Sequence, residues 1–149
     1  MSQPHDHSDS TTRPSSEGRV ASLGALIARL GFAIVFIWFG ALKFWPHLSP
    51  AHGLVEATVD WLVDPAWFIP LLGAWEVAIG IGMLINRCRK ATFALLLLHM
   101  AGTFMPFFTC PELVWADAPF VWTLVGQYIM KNIIFVGAAL MVFARAEDS

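Results

Sequence analysis

Charged residues are scarce in this sequence. They make up 13% of its 149 residues, and the net charge at pH 7 is −2. Disordered chains combine high charge with few apolar residues, so this composition excludes disorder for most of the chain. Nucleic-acid-binding proteins carry a basic surface, which a net negative charge gives no reason to expect. The composition therefore excludes nucleic acid as a partner.

Cysteines and catalytic signatures are also few. The two cysteines, Cys88 and Cys110, have neither the spacing of a metal site nor that of a redox CxxC pair. The sequence contains no nucleophile–base pair, phosphate loop or metal-ligand cluster. We therefore expect neither a metal site nor a self-contained enzyme. The alternative that the chain is the membrane subunit of an oxidoreductase stays open.

Apolar residues, in contrast, dominate the chain. They form 57% of it, and the mean hydropathy is +0.64, which is typical of an integral membrane protein. Four apolar runs are each long enough to cross the roughly 30 Å hydrocarbon core as helices. They lie at about residues 21–45, 67–86, 91–108 and 120–144. The sequence therefore predicts an all-α integral membrane protein, with a four-transmembrane-helix bundle over residues 19–145 and a disordered cytoplasmic tail over residues 1–18.

A further short helix is predicted between the first two spans. It carries an apolar stripe and an acidic stripe, formed by Leu54, Val55, Val59 and Leu62 and by Glu56, Asp60 and Asp64 respectively. This pattern predicts a short amphipathic outer helix that lies on the membrane surface or caps the bundle. The acidic stripe indicates a solvated face, and a loosely held cation is the alternative.

Basic residues orient the chain across the membrane. They cluster in the tail, in the turn after the second span and at the C-terminal end, as Arg13, Arg19, Arg87, Arg89, Lys90 and Arg145. The opposite boundary is lined by tryptophans, namely Trp45, Trp61, Trp67, Trp115 and Trp122. The positive-inside rule then predicts a cell inner-membrane protein with both termini in the cytoplasm. Because Cys88 and Cys110 fall on opposite sides, they cannot form a disulfide with each other.

One carboxylate lies near the centre of the second span. An ionised Glu76 at that depth costs several kcal/mol unless it faces a partner. Gly73, Glu76 and Gly80 are spaced at i, i+3 and i+7, so they share one helical face. Small residues on this face would let a neighbouring helix come close to the carboxylate.

Lys131 lies at a similar depth in the fourth span. We therefore predict an ion pair between Glu76 and Lys131, because each charge alone is expensive in the membrane. Lys43 is also interpreted as an interface anchor, and Arg29 is expected to snorkel to the headgroups. The predicted polar core comprises Lys43, Glu76, His99, Gln127, Lys131 and Asn132.

Two interpretations of this core stay open. A buried Glu–Lys pair can simply fix the register of the helices. Alternatively, the core is a site for a polar small molecule, for a quinone head or for a proton path, because intramembrane ionisable groups commonly mark such sites. A buried bis-histidine haem is not predicted, since His99 is the one histidine inside a predicted span.

Four segments carry motifs of a known membrane family. They are Phe36–Pro46 (FIWFGALKFWP, with a G-x-x-K), Gly73–Gly80 with its central glutamate, Phe107–Glu112, and Gly126–Asn132 (GQYIMKN). Together they resemble the DoxX-like membrane proteins, and the last motif is similar to the GQY-x-x-KN that opens the final span in the YkgB/RclC-type branch. The resemblance covers about Ile27–Val142.

The resemblance implies a four-helix inner-membrane protein. Some family members are associated with quinone-linked thiosulfate oxidation, and the closer branch with resistance to reactive chlorine. We therefore expect an accessory component in redox or oxidative-stress physiology that works with a quinone or a soluble redox partner. A small transporter or proton-coupled permease and a structural assembly factor are the alternatives, and a homo-oligomer is a further expectation. No internal repeat is expected, because the two halves of the chain place their charges differently.

Overall fold

The computed structural model describes residues 16–85, 88–117 and 120–144. Its helices are α1 (Ser16–Leu42), α2 (His52–Val59), α3 (Pro65–Ile85), α4 (Arg89–Thr103), α5 (Pro106–Thr109), α6 (Pro111–Val114), α7 (Leu124–Met130) and α8 (Asn132–Ala144), with a 3₁₀ turn at Pro46–Leu48. The predicted tail lies outside the described residues except for Ser16–Gly18, which begin α1. Arg13, Arg87 and Arg145, used to orient the chain, also lie outside them.

Four helical stretches are long and apolar enough to cross a membrane. They are Ser16–Leu42, Pro65–Ile85, Arg89–Thr109 and Leu124–Ala144. The last three are each 21 residues long, which at a 1.5 Å rise per residue gives about 32 Å, close to the hydrocarbon thickness of a bilayer. The fold is therefore the predicted all-α four-helix bundle of a multi-pass membrane protein.

Local capping explains where the second and fourth spans begin. The carboxylate of Asp64 accepts a hydrogen bond from the N–H of Ala66 at 2.9 Å, and Pro65 occupies the first helical position. The hydroxyl of Thr123 accepts one from the N–H of Gly126 at 3.2 Å. A second proline, Pro70, lies inside α3.

Glycines bring α1 and α3 into close contact. A Cβ atom added to Gly40 would lie 2.7 Å from the carbonyl oxygen of Gly73, and one added to Gly73 would lie 2.6 Å from that of Gly40. Gly80 is equally crowded, by Ile37 and Ala33 of α1. The prediction that small residues on the Glu76 face admit a neighbouring helix is thus confirmed.

The four spans form a ring around an apolar core. Span one packs on span two, span two on span three, span three on α8, and α8 returns to α1. The core contains Phe32, Phe36, Ile79, Leu96, Met100 and Ala139. The outward faces carry exposed apolar side chains such as Ile34, Trp38 and Ile134. A protein that is apolar both inside and outside is suited to a lipid environment.

The predicted amphipathic outer helix is confirmed as α2. It packs on α3 and α5, with Val59 buried. The hydroxyl of Thr58 lies 3.7 Å from the sulfur of Cys110, at the end of the third span. The acidic residues Glu56 and Asp60 are exposed, so they form the predicted solvated face.

Arginines bind the C-terminal ends of α3 and α8. Nη2 of Arg29 donates to the carbonyl of Met83 at 2.9 Å, and Nη2 of Arg89 donates to that of Phe143 at 3.2 Å. Both acceptors lie in the last turn of a span, where carbonyls lack helical partners and a positive charge complements the helix dipole. Arg29 therefore binds the protein backbone at the C-terminal end of α3, and its reach to the headgroups stays a prediction.

These two contacts reveal an internal repeat. Each partner in the second contact lies sixty residues after its counterpart in the first, from 29 to 89 and from 83 to 143. The same shift relates Lys43–Pro46 (KFWP) to Thr103–Pro106 (TFMP), where the first helix of each pair ends and a proline starts a short helix. The first helical pair (α1 and α3) thus corresponds to the second helical pair (α4–α5 and α7–α8).

This correspondence differs from the expectation of no internal repeat. That expectation rested on charges, and the repeat differs most in its charges. Since the first and third spans run in the same direction in an up-and-down bundle, a repeat that relates the two pairs would be parallel. Parallel repeats of this kind are one of the two internal symmetries found in membrane transporters.

Candidate functional site

Lys43 and Glu76 form a buried ion pair between the first two spans. Nζ of Lys43 donates to Oε2 of Glu76 at 2.6 Å, and the two residues are 5% and 6% exposed. The close approach at Gly73 makes this possible, because a Cβ there would lie 2.9 Å from the Cβ of Lys43. The lysine stem thus runs across the glycine towards the carboxylate, one helical turn further along α3.

His99 of α4 completes this group. Its Nε2 lies 3.3 Å from Oε1 of Glu76, so the carboxylate has a nitrogen beside each oxygen. The imidazole side chain is 8% exposed, and Phe36 lies edge-on to it with a ring-centroid distance of 5.4 Å. We call Lys43, Glu76 and His99 the polar triad. It joins three spans through one carboxylate.

The predicted partner of Glu76 was wrong. Lys131 is exposed, and its Nζ lies 4.5 Å from the centroid of the Tyr128 ring, in a cation–π contact. It occupies the break between α7 and α8. Lys43 is the partner instead, so its interpretation as an interface anchor was also wrong. The prediction matched Lys131 to Glu76 by depth alone, but the side chain of Lys131 is exposed and that of Lys43 is buried against the carboxylate.

The other two predicted core residues lie apart from the triad. The side-chain amide of Gln127 is exposed and donates to the carbonyl of Trp122 at 3.3 Å. Nδ2 of Asn132 donates to the hydroxyl of Thr103 at 3.0 Å, which links α8 to α4. Thr103 lies one helical turn after His99, so this second link is next to the triad along α4.

Thr103 was missed as a site residue. Its hydroxyl accepts from Asn132 and donates to the carbonyl of Met100 at 2.7 Å. The signal in the sequence was its i+4 spacing from His99, which places both on one helical face. With Thr103 included, polar contacts link all four spans around the bundle.

One atom of the triad has no partner. Nδ1 of His99 is buried, and the described part of the chain offers it no hydrogen bond. An unsatisfied buried polar atom costs about 1–3 kcal/mol, so native proteins rarely keep one without a reason. The triad therefore has an unused hydrogen-bonding position facing the protein interior.

Comparison with known proteins adds no relative. No family model matches the chain, and neither a curated protein nor a solved structure matches it. Within residues 16–85, 88–117 and 120–144 there is also no group of three or more histidine, cysteine, aspartate or glutamate side chains that could hold a metal ion.

Proposed function

We propose that this protein is an inner-membrane accessory component in redox or oxidative-stress physiology, and that its polar triad binds the head of a lipid-soluble quinone. The observation that carries the proposal is the triad itself, with an unused nitrogen on His99. A purely structural ion pair between Lys43 and Glu76 needs no third ionisable group and leaves no buried atom unsatisfied.

A quinone head suits this group chemically. It is a flat ring with polar oxygens, and the triad offers polar atoms beside the aromatic edge of Phe36. A quinone reaches mid-membrane sites through the bilayer, so no aqueous path is needed. The resemblance of the sequence to DoxX-like proteins, some of which are linked to quinones, supports the same assignment.

The role is proposed to be accessory because the triad holds and orients a ligand without storing electrons. A soluble redox partner or another subunit would exchange electrons with the bound head. Resistance to reactive chlorine is the physiological setting that the YkgB/RclC-type resemblance supports. For topology, Arg19, Arg89 and Lys90 all lie near the starts of the first and third spans, which supports cytoplasmic termini.

The test is purification of the native protein in mild detergent, with mass spectrometry of the lipids and proteins that co-purify. We expect a quinone with the unaltered protein and its loss in Glu76→Gln, with Lys131→Met as the matched control that retains it. A quinone absent from every sample would contradict the proposal. Glu76→Gln should also abolish survival under hypochlorous acid while the protein still accumulates in the membrane.

The parallel repeat favours a second candidate, a small transporter or proton-coupled permease. Transporters built from repeats place their substrate site at the repeat interface near mid-membrane, and the triad joins α3 of one pair to α4 of the other. Uptake into liposomes that fails in Glu76→Gln would support this candidate. If Glu76→Gln alters stability alone, with neither a ligand nor transport lost, the protein is a structural assembly factor.

A further inference from the structure

The unused nitrogen of His99 indicates what kind of ligand the triad accepts. We propose that the ligand donates a hydrogen bond from a hydroxyl group to Nδ1 of His99, so that the site prefers a hydroquinone to the corresponding quinone. This inference rests on the proposed function, because it takes the triad to be a site for the polar head of a lipid-soluble molecule.

The carboxylate of Glu76 determines which nitrogen of His99 carries the proton. Nε2 lies 3.3 Å from Oε1 of Glu76. An ionised carboxylate can only accept hydrogen bonds, so at this distance it attracts an N–H and repels the lone pair of a bare ring nitrogen. Nε2 is therefore the protonated nitrogen.

One cation already balances Glu76. Nζ of Lys43 lies 2.6 Å from the carboxylate, and this pair is neutral as a whole. A second positive charge on His99 would give the buried triad a net charge of +1, which is expensive inside a membrane. His99 is therefore a neutral imidazole, and its Nδ1 carries a free lone pair.

That lone pair lacks a donor. The His99 side chain is 8% exposed, and Nδ1 has no hydrogen-bond partner among the described residues. A phenolic hydroxyl would donate to Nδ1, and the imidazole that accepts it already packs against the ring of Phe36. A quinone carbonyl can accept a hydrogen bond from the ammonium of Lys43, but it has no donor for Nδ1, so that nitrogen would stay unsatisfied.

The experiment compares three ligands with the same ring and alkyl tail: a short-chain hydroquinone, its quinone and its dimethyl ether. Their affinities for the full-length protein in lipid nanodiscs are measured anaerobically by quenching of tryptophan fluorescence. We expect the hydroquinone to bind about tenfold more tightly than the other two, the equivalent of one net hydrogen bond. His99→Phe should lose this preference, and Lys131→Met, which lies outside the triad, should keep it.

The outcomes separate the inference from the proposed function. Equal affinities for the three ligands, or tighter binding of the quinone, would overturn the inference while the proposed function stands. If none of the three binds, the proposed function itself is contradicted. Should His99→Phe fail to accumulate, the ratio of hydroquinone to dimethyl-ether affinity in the unaltered protein still decides, because the two ligands differ in their hydroxyl donors.

Discussion

The two helical pairs have the same order of helices but are joined by different side-chain contacts. In each pair an arginine of the first helix, Arg29 or Arg89, binds a carbonyl in the last turn of the second helix. Near the C-terminal end of its first helix, the first pair is joined by a buried ion pair, Lys43–Glu76, and the second by a neutral hydrogen bond between Thr103 and Asn132. The two pairs thus share the arginine contact but differ in the polar link that joins their helices.

The two pairs also differ in how closely their helices pack. In the first pair a Cβ on Gly40 or Gly73 would meet backbone atoms of the facing helix, whereas in the second pair a Cβ on Gly102 or Gly137 would meet nothing within 4 Å. The pair that holds the ionised groups is therefore also the pair that packs most tightly. Close packing excludes lipid from the charges, which is what a buried ion pair in a membrane requires.

The largest difference between the pairs should follow removal of a polar link. Lys43→Met leaves an unpaired carboxylate in the membrane, so we expect it to lower the free energy of unfolding by about 3 kcal/mol or more. Thr103→Val, at the equivalent position sixty residues later, should cost only about 0.6 kcal/mol, as intramembrane hydrogen bonds commonly do. Denaturation in mixed micelles, followed by circular dichroism, measures both. Equal losses would mean that the ion pair is no stronger than its neutral counterpart.

Glycine substitutions should separate the pairs next. Gly73→Ala forces a methyl group against the carbonyl of Gly40, and we expect a loss of about 1–3 kcal/mol of stability. Gly137→Ala adds the same methyl group where space is open, and it should be neutral or stabilise by up to about 1 kcal/mol, because alanine favours a helix. The same unfolding assay applies, and a loss in Gly137→Ala as large as in Gly73→Ala would contradict the assigned packing.

Removal of the two arginine contacts, by contrast, should lower stability by similar amounts. Arg29→Met removes a charged hydrogen bond to the carbonyl of Met83, and Arg89→Met removes one to that of Phe143. Each should cost about 1 kcal/mol or somewhat more in unfolding free energy. If one of the two variants is destabilised and the other is unchanged, the two arginine contacts are not equivalent. The repeat would then not extend to this end of the bundle.

The smallest effect is expected at Lys131. Its side chain is exposed and contacts the Tyr128 ring, so Lys131→Met should change the free energy of unfolding by less than about 0.5 kcal/mol. A loss comparable with that of Lys43→Met would restore the ion pair predicted from the sequence.

The membrane fold was predictable because it depends on composition and length alone. A span needs about twenty apolar residues, and the bilayer leaves few alternatives to a helical bundle. The spacing of Gly73, Glu76 and Gly80 also sufficed to predict a closely packed face around the carboxylate. These predictions needed no knowledge of how the helices are rotated.

The partner of Glu76 was not predictable in the same way. Depth in the membrane follows from residue number. The direction of a side chain, however, turns by about 100° with each residue, and how each helix is rotated about its axis depends on the packing of the whole bundle. Depth favoured Lys131, whereas Lys43 lay at the end of the predicted first span; the close contact of Gly40 with Gly73 brings Lys43 to the carboxylate. The repeat was missed because its clearest marks, Arg29 with Arg89 and KFWP with TFMP, are short, and the charged residues Lys43 and Glu76 have uncharged counterparts sixty residues later.

The most direct test of the triad is a pair of double-mutant cycles on unfolding free energy. If Lys43 is the partner of Glu76, Lys43→Met and Glu76→Gln should be strongly non-additive, with a coupling energy of about 2 kcal/mol or more, since the double variant removes both charges together. Lys131→Met and Glu76→Gln should add within about 0.5 kcal/mol. Additivity at Lys43 combined with coupling at Lys131 would contradict the assignment of the ion pair and, with it, the polar triad.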